Sequence, residues 1–343
     1  MAGQIKISPR TVNVAVVGLG FMGVTHLRAY QKIRPARIVA VCDTSRPPRN
    51  GLVAGVPGNI QNSAAVQLSA RVKVHATFAD ILADPAVEIV DLCTPTAAHP
   101  TQVIAALAAG KHVLCEKPLA QNSATAKKIL AAARATNKFL MPAMCMRFWP
   151  GWAWLKKVVT EKTYGKILAA NFRRVSAKPA WGKAGTHSGG ALFDLHIHDT
   201  DFVNFLFGSP EAIFSTGVPD AHGNVDHVIT QYFFRHGPVV HAEGSWLLTQ
   251  GFNMSYTLHC ERATLDFDLS RGTAALQVAE PAKKIRIVKL AATNGYHAEL
   301  RYFVDCVARG EKPATVTAAD CVTALTICEA EEKSVRTGKL VKL

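Results

Sequence analysis

Three stretches of the chain carry residue types at spacings suited to chemistry. The first, Val12 to Gly23, reads Val-Asn-Val-Ala-Val-Val-Gly-Leu-Gly-Phe-Met-Gly and joins an apolar run to a helix-like segment. Gly18, Gly20 and Gly23 fit GxGxxG: the first glycine makes a tight turn, the second lets backbone approach a pyrophosphate, and the third lets helix pack on strand. A diphosphate then meets the helix N-terminus at Phe21 and Met22, where free N–H groups and the helix dipole favour an anion. Asp43 ends the next apolar run, where an acid accepts hydrogen bonds from the adenosine ribose. It repels a 2′-phosphate and so favours NAD, while Arg46 and Arg49 close behind it keep NADP possible.

The second stretch, Cys115-Glu-Lys-Pro118, falls where a later strand should end, at the carboxyl edge at which open α/β sheets bind ligands. Lys117 is the first catalytic candidate. A lysine beside the positive nicotinamide ring has its ammonium form disfavoured, which brings it toward proton transfer; the competing reading is a solvated surface lysine. The third stretch, Gly189 to Phe202, is dense in His and Asp. At about 100° per residue, Asp194, His198 and Asp201 share one helical face and His196 points away. A His-x-His metal pair converges only on a strand. The apolar pattern from Gly190 to Phe207 favours helix, with Asp194 orienting His198 and no metal bound. Arg147, Trp181, His187 and Tyr296 are candidates to line a polar pocket, although Trp and Tyr in mixed strands are core residues more often than ligand contacts.

The elements that must position these groups follow the apolar patterns. Val12–Val17, Arg37–Cys42, Val72–His75, Glu88–Cys93, Lys111–Cys115 and Phe139–Cys145 read as strands with helices between them, which predicts a doubly wound parallel sheet in residues 1–142. Thr44 to Asn62 reads as a long loop beside the cofactor site, followed by a short helix at Ala64–Ser69. From residue 143 to 343 strand-like runs dominate. That predicts a second, substrate-binding domain on a large, mostly antiparallel sheet, with helices at Gly190–Phe207 and Tyr296–Arg309. A last helix, Thr317–Thr337, is capped by Thr317 with Asp320 and stopped at Gly338, and is expected to pack back on the first domain.

At 343 residues two domains are expected. Apolar runs break well short of the roughly 18 residues a membrane span needs. Met1 to Arg10 lacks the apolar core of an export signal, so a cytoplasmic location is expected. The eight cysteines show no CxxC and read as free thiols. The net charge of +14 is spread along the chain without interleaved aromatics, which argues against nucleic acid. No GxSxG or HExxH motif supports a serine hydrolase or a zincin.

Together these stretches resemble the Gfo/Idh/MocA oxidoreductase family over nearly the full chain. Val14–Gly23 is similar to its nucleotide fingerprint, Cys93-Thr94-Pro95 with His99 to its Thr-Pro strand end, and Gly110–Pro118 to its Glu-Lys-Pro signature. Asp194 with His198 falls on its Asp-x-x-x-His pair, and Tyr296-His-Ala-Glu299 with Phe303 is similar to its C-terminal segment. The resemblance implies Thr94, Pro95, His99, Glu116 and Lys117 at the cofactor, and Lys117, Asp194 and His198 as the catalytic trio. The implied reaction is reversible hydride transfer between a secondary alcohol of a sugar or polyol and nicotinamide. His198 would be acid/base, Lys117 would hydrogen-bond the reacting hydroxyl, and Asp194 would orient substrate or His198. Arg147, Trp181, His196 and Tyr296 are left for substrate. A cis Lys117–Pro118 bond and a homodimer or homotetramer through the antiparallel sheet are also implied. Two other activities occur on the same frame: glycoside cleavage through transient oxidation, and non-catalytic ligand sensing. The chain departs from the family in its His196, where glycine is usual, and in its long Thr44–Ser69 connection.

Overall fold

The computed structural model describes residues 10–58, 64–180 and 189–343. In the first half, β1 (Val12–Val17), β2 (Ala36–Cys42), the short pair β3 (Leu52–Val53) and β4 (Val66–Gln67), β5 (Lys73–His75), β6 (Ile89–Leu92), β7 (His112–Glu116) and β8 (Leu140–Ala143) alternate with helices. These are α1 (Phe21–Tyr30), α2 (Phe78–Ala83), α3 (His99–Ala108) and α4 (Ser123–Arg134). Six strands form one parallel sheet in the order β5-β2-β1-β6-β7-β8. The strand order reverses beside β1, which opens a crevice at the carboxyl edge. Helices cover both faces, so β6 is buried along its whole length and Val14, Ala15 and Val16 are fully inaccessible. Helix α2 begins with the reciprocal Thr77/Asp80 capping box.

The segment after β2 differs from its sequence reading. Asn50 and Gly51 take positive φ (51° and 73°), which lets the chain reverse between Arg49 and Leu52. Val66–Gln67 then pairs antiparallel with Leu52–Val53, so a strand stands where a short helix was expected. Burial decides it: Val53 and Val66 are 2% and 3% exposed against the domain core.

The second half contains α5 (Pro150–Thr160), β9 (Ile167–Ala177), a π-helical turn (Leu192–His196) leading into α6 (Ile197–Phe207), and the strands β10 (Ala212–Pro219), β11 (Val225–Phe233), β12 (Val239–Cys260), β13 (Thr264–Asp268), β14 (Leu276–Ala279) and β15 (Arg286–Ile287). Helices α7 (Gly295–Arg309) and α8 (Ala318–Thr337) and the short β16 (Val341–Lys342) follow. Eight strands form one large sheet. Strand β12 is long enough to double back near Gly251 (φ 82°), and β9 pairs with both of its arms: Ser245 lies opposite Val175, and Phe252 opposite Ser176. Helix α5 carries no expectation in the sequence reading. Pro150 occupies the first helical turn, where its missing N–H is harmless, and Trp152, Leu155 and Val158 bury one face.

Helix α8 ties the two sheets together. The Glu329 carboxylate accepts the Ser123 N–H at 2.7 Å and its hydroxyl at 2.6 Å, at the start of α4. Two residues on, and so on the other side of the helix, Glu331 is buried against α6 and β11. No helix among the described residues is long and apolar enough to cross a membrane.

Candidate active site

A cleft of about 810 Å³ runs along the carboxyl edge of the parallel sheet and on to the second sheet. One end is formed by the glycine-rich turn. Gly18 has φ +88°, and a side chain there would also strike the Cys93 carbonyl at 2.6 Å. A Cβ on Gly23 would lie 1.9 Å from the Gly18 carbonyl oxygen, so that glycine permits the helix-to-strand contact. Gly20 is different: nothing lies within 4 Å of where its Cβ would be, and it borders the cleft at the uncapped start of α1. Open space over glycine backbone at a helix N-terminus is what a pyrophosphate requires. Asp43, at the end of β2, accepts the backbone N–H groups of Leu19, Ser45 and Arg46 at 2.6, 2.8 and 2.7 Å. Its carboxylate thereby pins the turn while still facing the cleft with Thr44, Ser45 and Arg46. These residues fit a dinucleotide.

At the other end three groups converge. Lys117 follows β7, and its peptide bond to Pro118 is cis. Its ammonium donates to the Asp194 carbonyl at 2.5 Å and to Asp194 Oδ1 at 3.0 Å. Asp194 lies in the π-helical turn and His198 one turn later in α6, and both line the cleft. A π turn inside a longer helix frequently marks a functional site. Burial pushes the His198 pKa well below the ordinary histidine value, and the Lys117 and Arg174 cations push it the same way, so the imidazole is neutral at pH 7. Its Nδ1 has no hydrogen-bond partner among the described residues.

Several sequence candidates sit elsewhere. Phe21, Met22, Asp43, Thr94, Pro95, Glu116 and Tyr296 line the cleft with Gly18 and Gly20. His99 does not. It is 1% exposed, and its two ring nitrogens lie 2.9 and 2.8 Å from the carbonyls of Pro118 and Thr94, so it braces two turns that do face the cleft. Arg147 is also removed from the substrate set. It forms a buried bidentate pair with Asp201 at 2.9 and 2.6 Å and reaches the Thr315 carbonyl and the half-buried Asp320. His196 is fully buried on the far side of the π turn, 3.3 Å from the Tyr232 hydroxyl and 3.4 Å from Glu331 Oε1. It is a core group, fitted against Gly244, where a Cβ would lie 2.5 Å from its own. The hydrogen bonds of the Asp194 carboxylate go to Lys117, so its orienting contact is to the lysine in place of the expected one to His198. Trp181 and His187 lie outside the described residues.

Sequence reasoning missed Arg174, Met146, Trp149, Phe252 and Met254, which complete the wall near His198. Arg174 is bound by Asp199 through two hydrogen bonds of 2.7 and 3.0 Å. Only the alternation of β9 hinted at its inward face. The chemistry available is that of a half-buried ammonium and a neutral imidazole opposite a nucleotide-shaped recess.

Known proteins are similar to this chain in sequence and in fold. Residues 12–144 match the family described as "Oxidoreductase family, NAD-binding Rossmann fold", and residues 152–266 match the "GFO/IDH/MocA C-terminal domain". The chain is 25% identical over 346 residues to a myo-inositol 2-dehydrogenase of Thermotoga maritima, covering 97% of this chain and 98% of that one. It is 34% identical over 158 residues to a trans-1,2-dihydrobenzene-1,2-diol dehydrogenase of Sus scrofa, covering 43% of this chain and 47% of that one. The match thus spans about half the length of that relative. A levoglucosan dehydrogenase solved in complex with NADH superposes with a TM-score of 0.81 over 97% of this chain and 99% of that one, at 22% identity. With both of its domains matched in chain order and a six-stranded parallel sheet leading into a large antiparallel one, the chain belongs to the Gfo/Idh/MocA oxidoreductase family.

Proposed function

We propose that the protein is an NAD(P)-dependent dehydrogenase that oxidises a secondary alcohol of a carbohydrate-like ring bearing neighbouring hydroxyls. The observation that carries this reading is the convergence of Lys117, Asp194 and His198 in the same cleft as the open glycine turn. Two relatives are named for cyclic compounds with several hydroxyl groups, and both names specify dehydrogenases.

Bound NAD(P) would lie along Gly18, Gly20, Phe21, Met22, Asp43, Thr94, Pro95 and Glu116, and its nicotinamide supplies the hydride acceptor. The rest of the work falls to the chain. Lys117 donates a hydrogen bond to the reacting oxygen and stabilises negative charge as it develops there. His198, neutral at pH 7, accepts the hydroxyl proton. Asp194 holds the lysine in place. Met146, Trp149, Phe252, Met254 and Tyr296 give the ring apolar walls and displace water. Asp43 favours NAD over NADP, and the exposed Arg46 at the cleft edge leaves some affinity for a 2′-phosphate.

The outward face of the large sheet mixes apolar Ile229, Phe233 and Val239, each over 40% exposed, with polar neighbours, and it supports a homodimer or homotetramer. Eight free cysteines, seven of them buried, suit a reducing cytoplasm. The test is absorbance at 340 nm with NAD⁺ and separately NADP⁺ against cyclic polyols, sugars and glycosides. Reduction of NAD⁺ by one class establishes the reading. Glycoside cleavage without accumulated NADH replaces it with transient oxidation, and tight cofactor binding without turnover replaces it with sensing.

A further inference from the structure

Reaching back from the cleft wall, and outside the trio just described, lies a largely buried set of ionisable groups that packing alone does not require. His26 of α1 is 0% exposed. Its Nδ1 lies 2.8 Å from Asp91 Oδ2 on β6, and its Nε2 lies 3.2 Å from Glu116 Oε1 at the end of β7. The second contact is a close ion pair without hydrogen-bond alignment. Cys93 Sγ is 3.3 Å from the same Nδ1. Burial works against charge on the ring, yet the Asp91 carboxylate and Cys93 beside it more than offset this and hold the His26 pKa well above the ordinary value. Glu299 of α7 faces the cluster fully buried, its carboxyl pKa pushed well above the ordinary value by burial and by the nearby Glu116 charge. Tyr30 closes the remaining side, its phenol pushed up by burial and by Asp91.

The other oxygen of Glu116 leads to the active site. Glu116 Oε2 accepts the backbone N–H of Lys117 at 3.0 Å, and Lys117 Nζ then reaches Asp194. An unbroken line of contacts therefore runs from Asp91 through His26 and Glu116 to the main chain of the catalytic lysine. His26 also stands on the same helix whose first turn borders the dinucleotide recess. Buried charges of this kind are a poor source of stability, because desolvation consumes most of the Coulombic gain. What they do supply is direction.

We propose that His26 is a positioning residue: as an imidazolium clamped between Asp91 and Glu116, it fixes the carboxylate that holds the Lys117 N–H and so sets where the Lys117 ammonium points. This rests on the dehydrogenase reading for its catalytic consequence and on geometry alone for the clamp. Without His26 the Glu116 carboxylate faces Glu299 and the main chain with no cation, and it swings toward the solvent-filled cleft. The main chain at Lys117 loosens, and its ammonium leaves the Asp194 pair more often.

The test uses His26→Gln and Glu116→Gln, with Glu299→Gln as a neighbour that makes no bond to residues 116 or 117. Lys117 acetylation by dilute acetic anhydride is followed by mass spectrometry on the cofactor-free protein, alongside kcat and NAD⁺ affinity. Both clamp variants should acetylate Lys117 several-fold faster and lose about 10- to 100-fold in kcat, the scale for a small misplacement of a catalytic group. NAD⁺ affinity should hold in His26→Gln, whose side chain does not line the cleft, and Glu299→Gln should label like wild type. If His26→Gln fails to fold, Glu116→Gln decides alone, since its amide keeps the shape and loses the charge. An unchanged Lys117 labelling rate in the folded variants overturns the clamp. Faster labelling in a protein that oxidises no alcohol leaves the clamp standing and removes the dehydrogenase reading instead.

Discussion

The ammonium of Lys117 lies 3.0 Å from the Asp194 carboxylate and 2.5 Å from the Asp194 carbonyl, joining the end of a parallel strand to a π-helical turn 77 residues later. Neither partner is fully enclosed, at 14% and 23% side-chain exposure, so the pair faces the cleft while remaining shielded enough to hold its geometry. Replacing Lys117 with alanine should lower kcat for alcohol oxidation by about 10²- to 10⁴-fold, the usual worth of a positioned proton-transfer group. The NAD⁺ dissociation constant should stay close to wild type. Stopped-flow reduction at 340 nm and a cofactor titration separate the two effects, and equal losses in both would reject the assigned role. Asp194→Asn keeps one acceptor for the lysine and should lose less.

The glycine turn makes a contrast that melting curves can resolve. Gly18→Ala needs a positive φ and meets Cys93 backbone at 2.6 Å, so the variant should be destabilised whether or not cofactor is present. Gly20→Ala meets nothing within 4 Å and should melt like wild type. It should nevertheless bind NAD⁺ weakly, because its methyl group occupies the space a pyrophosphate would take. A Gly20→Ala variant with normal cofactor affinity would place the dinucleotide elsewhere.

The pH dependence of turnover follows His198. His198 is held neutral by burial and the nearby Lys117 and Arg174 cations, so the proton acceptor persists in acid. The acidic limb of kcat for alcohol oxidation should therefore fall below pH 6.5, and a limb above it would mean that another group accepts the proton.

Stability follows His112, whose pKa is pushed down to about 4 by burial and by the Lys138 charge. The unfolded chain binds this proton more readily than the folded one between pH 6.5 and 4. The contribution is thus complete above pH 6.5 and is lost as the pH falls toward 4, on the order of 3 kcal/mol at most. Urea unfolding at pH 7 and pH 4.5 should show the difference, and it should shrink in His112→Gln.

Arg147→Met should act on folding, not on substrate affinity. It leaves Asp201, 1% exposed, without its bidentate partner inside the protein. Breaking a buried pair from one side costs roughly 3–5 kcal/mol. A variant that folds normally but shows a raised KM would return Arg147 to the substrate set.

The strands of the parallel sheet, the glycine turn and the Glu-Lys-Pro strand end were legible in the sequence because each is a local code, whereas the β3/β4 pair was not. Apolar runs of four to six residues that are rich in β-branched residues and bounded by turn residues favour buried strands, and glycine spacing reports backbone demands directly. The capping boxes at Thr77 and Thr317 are equally local, and both are present. What escaped was decided across distance. Arg147 and Arg174 are indistinguishable as sequence, yet one is sealed against Asp201 and the other borders the cleft beside Asp199. His196 and His198 stand two residues apart, and only the packing of α8 and β11 on one side of the π turn puts Glu331 and Tyr232 against the first and leaves the second facing the cleft. Asp194 takes Lys117 as its partner because the second sheet docks against the carboxyl edge of the first. Spacing along a chain fixes which face of an element a side chain shares, but the group it meets there depends on how the elements pack.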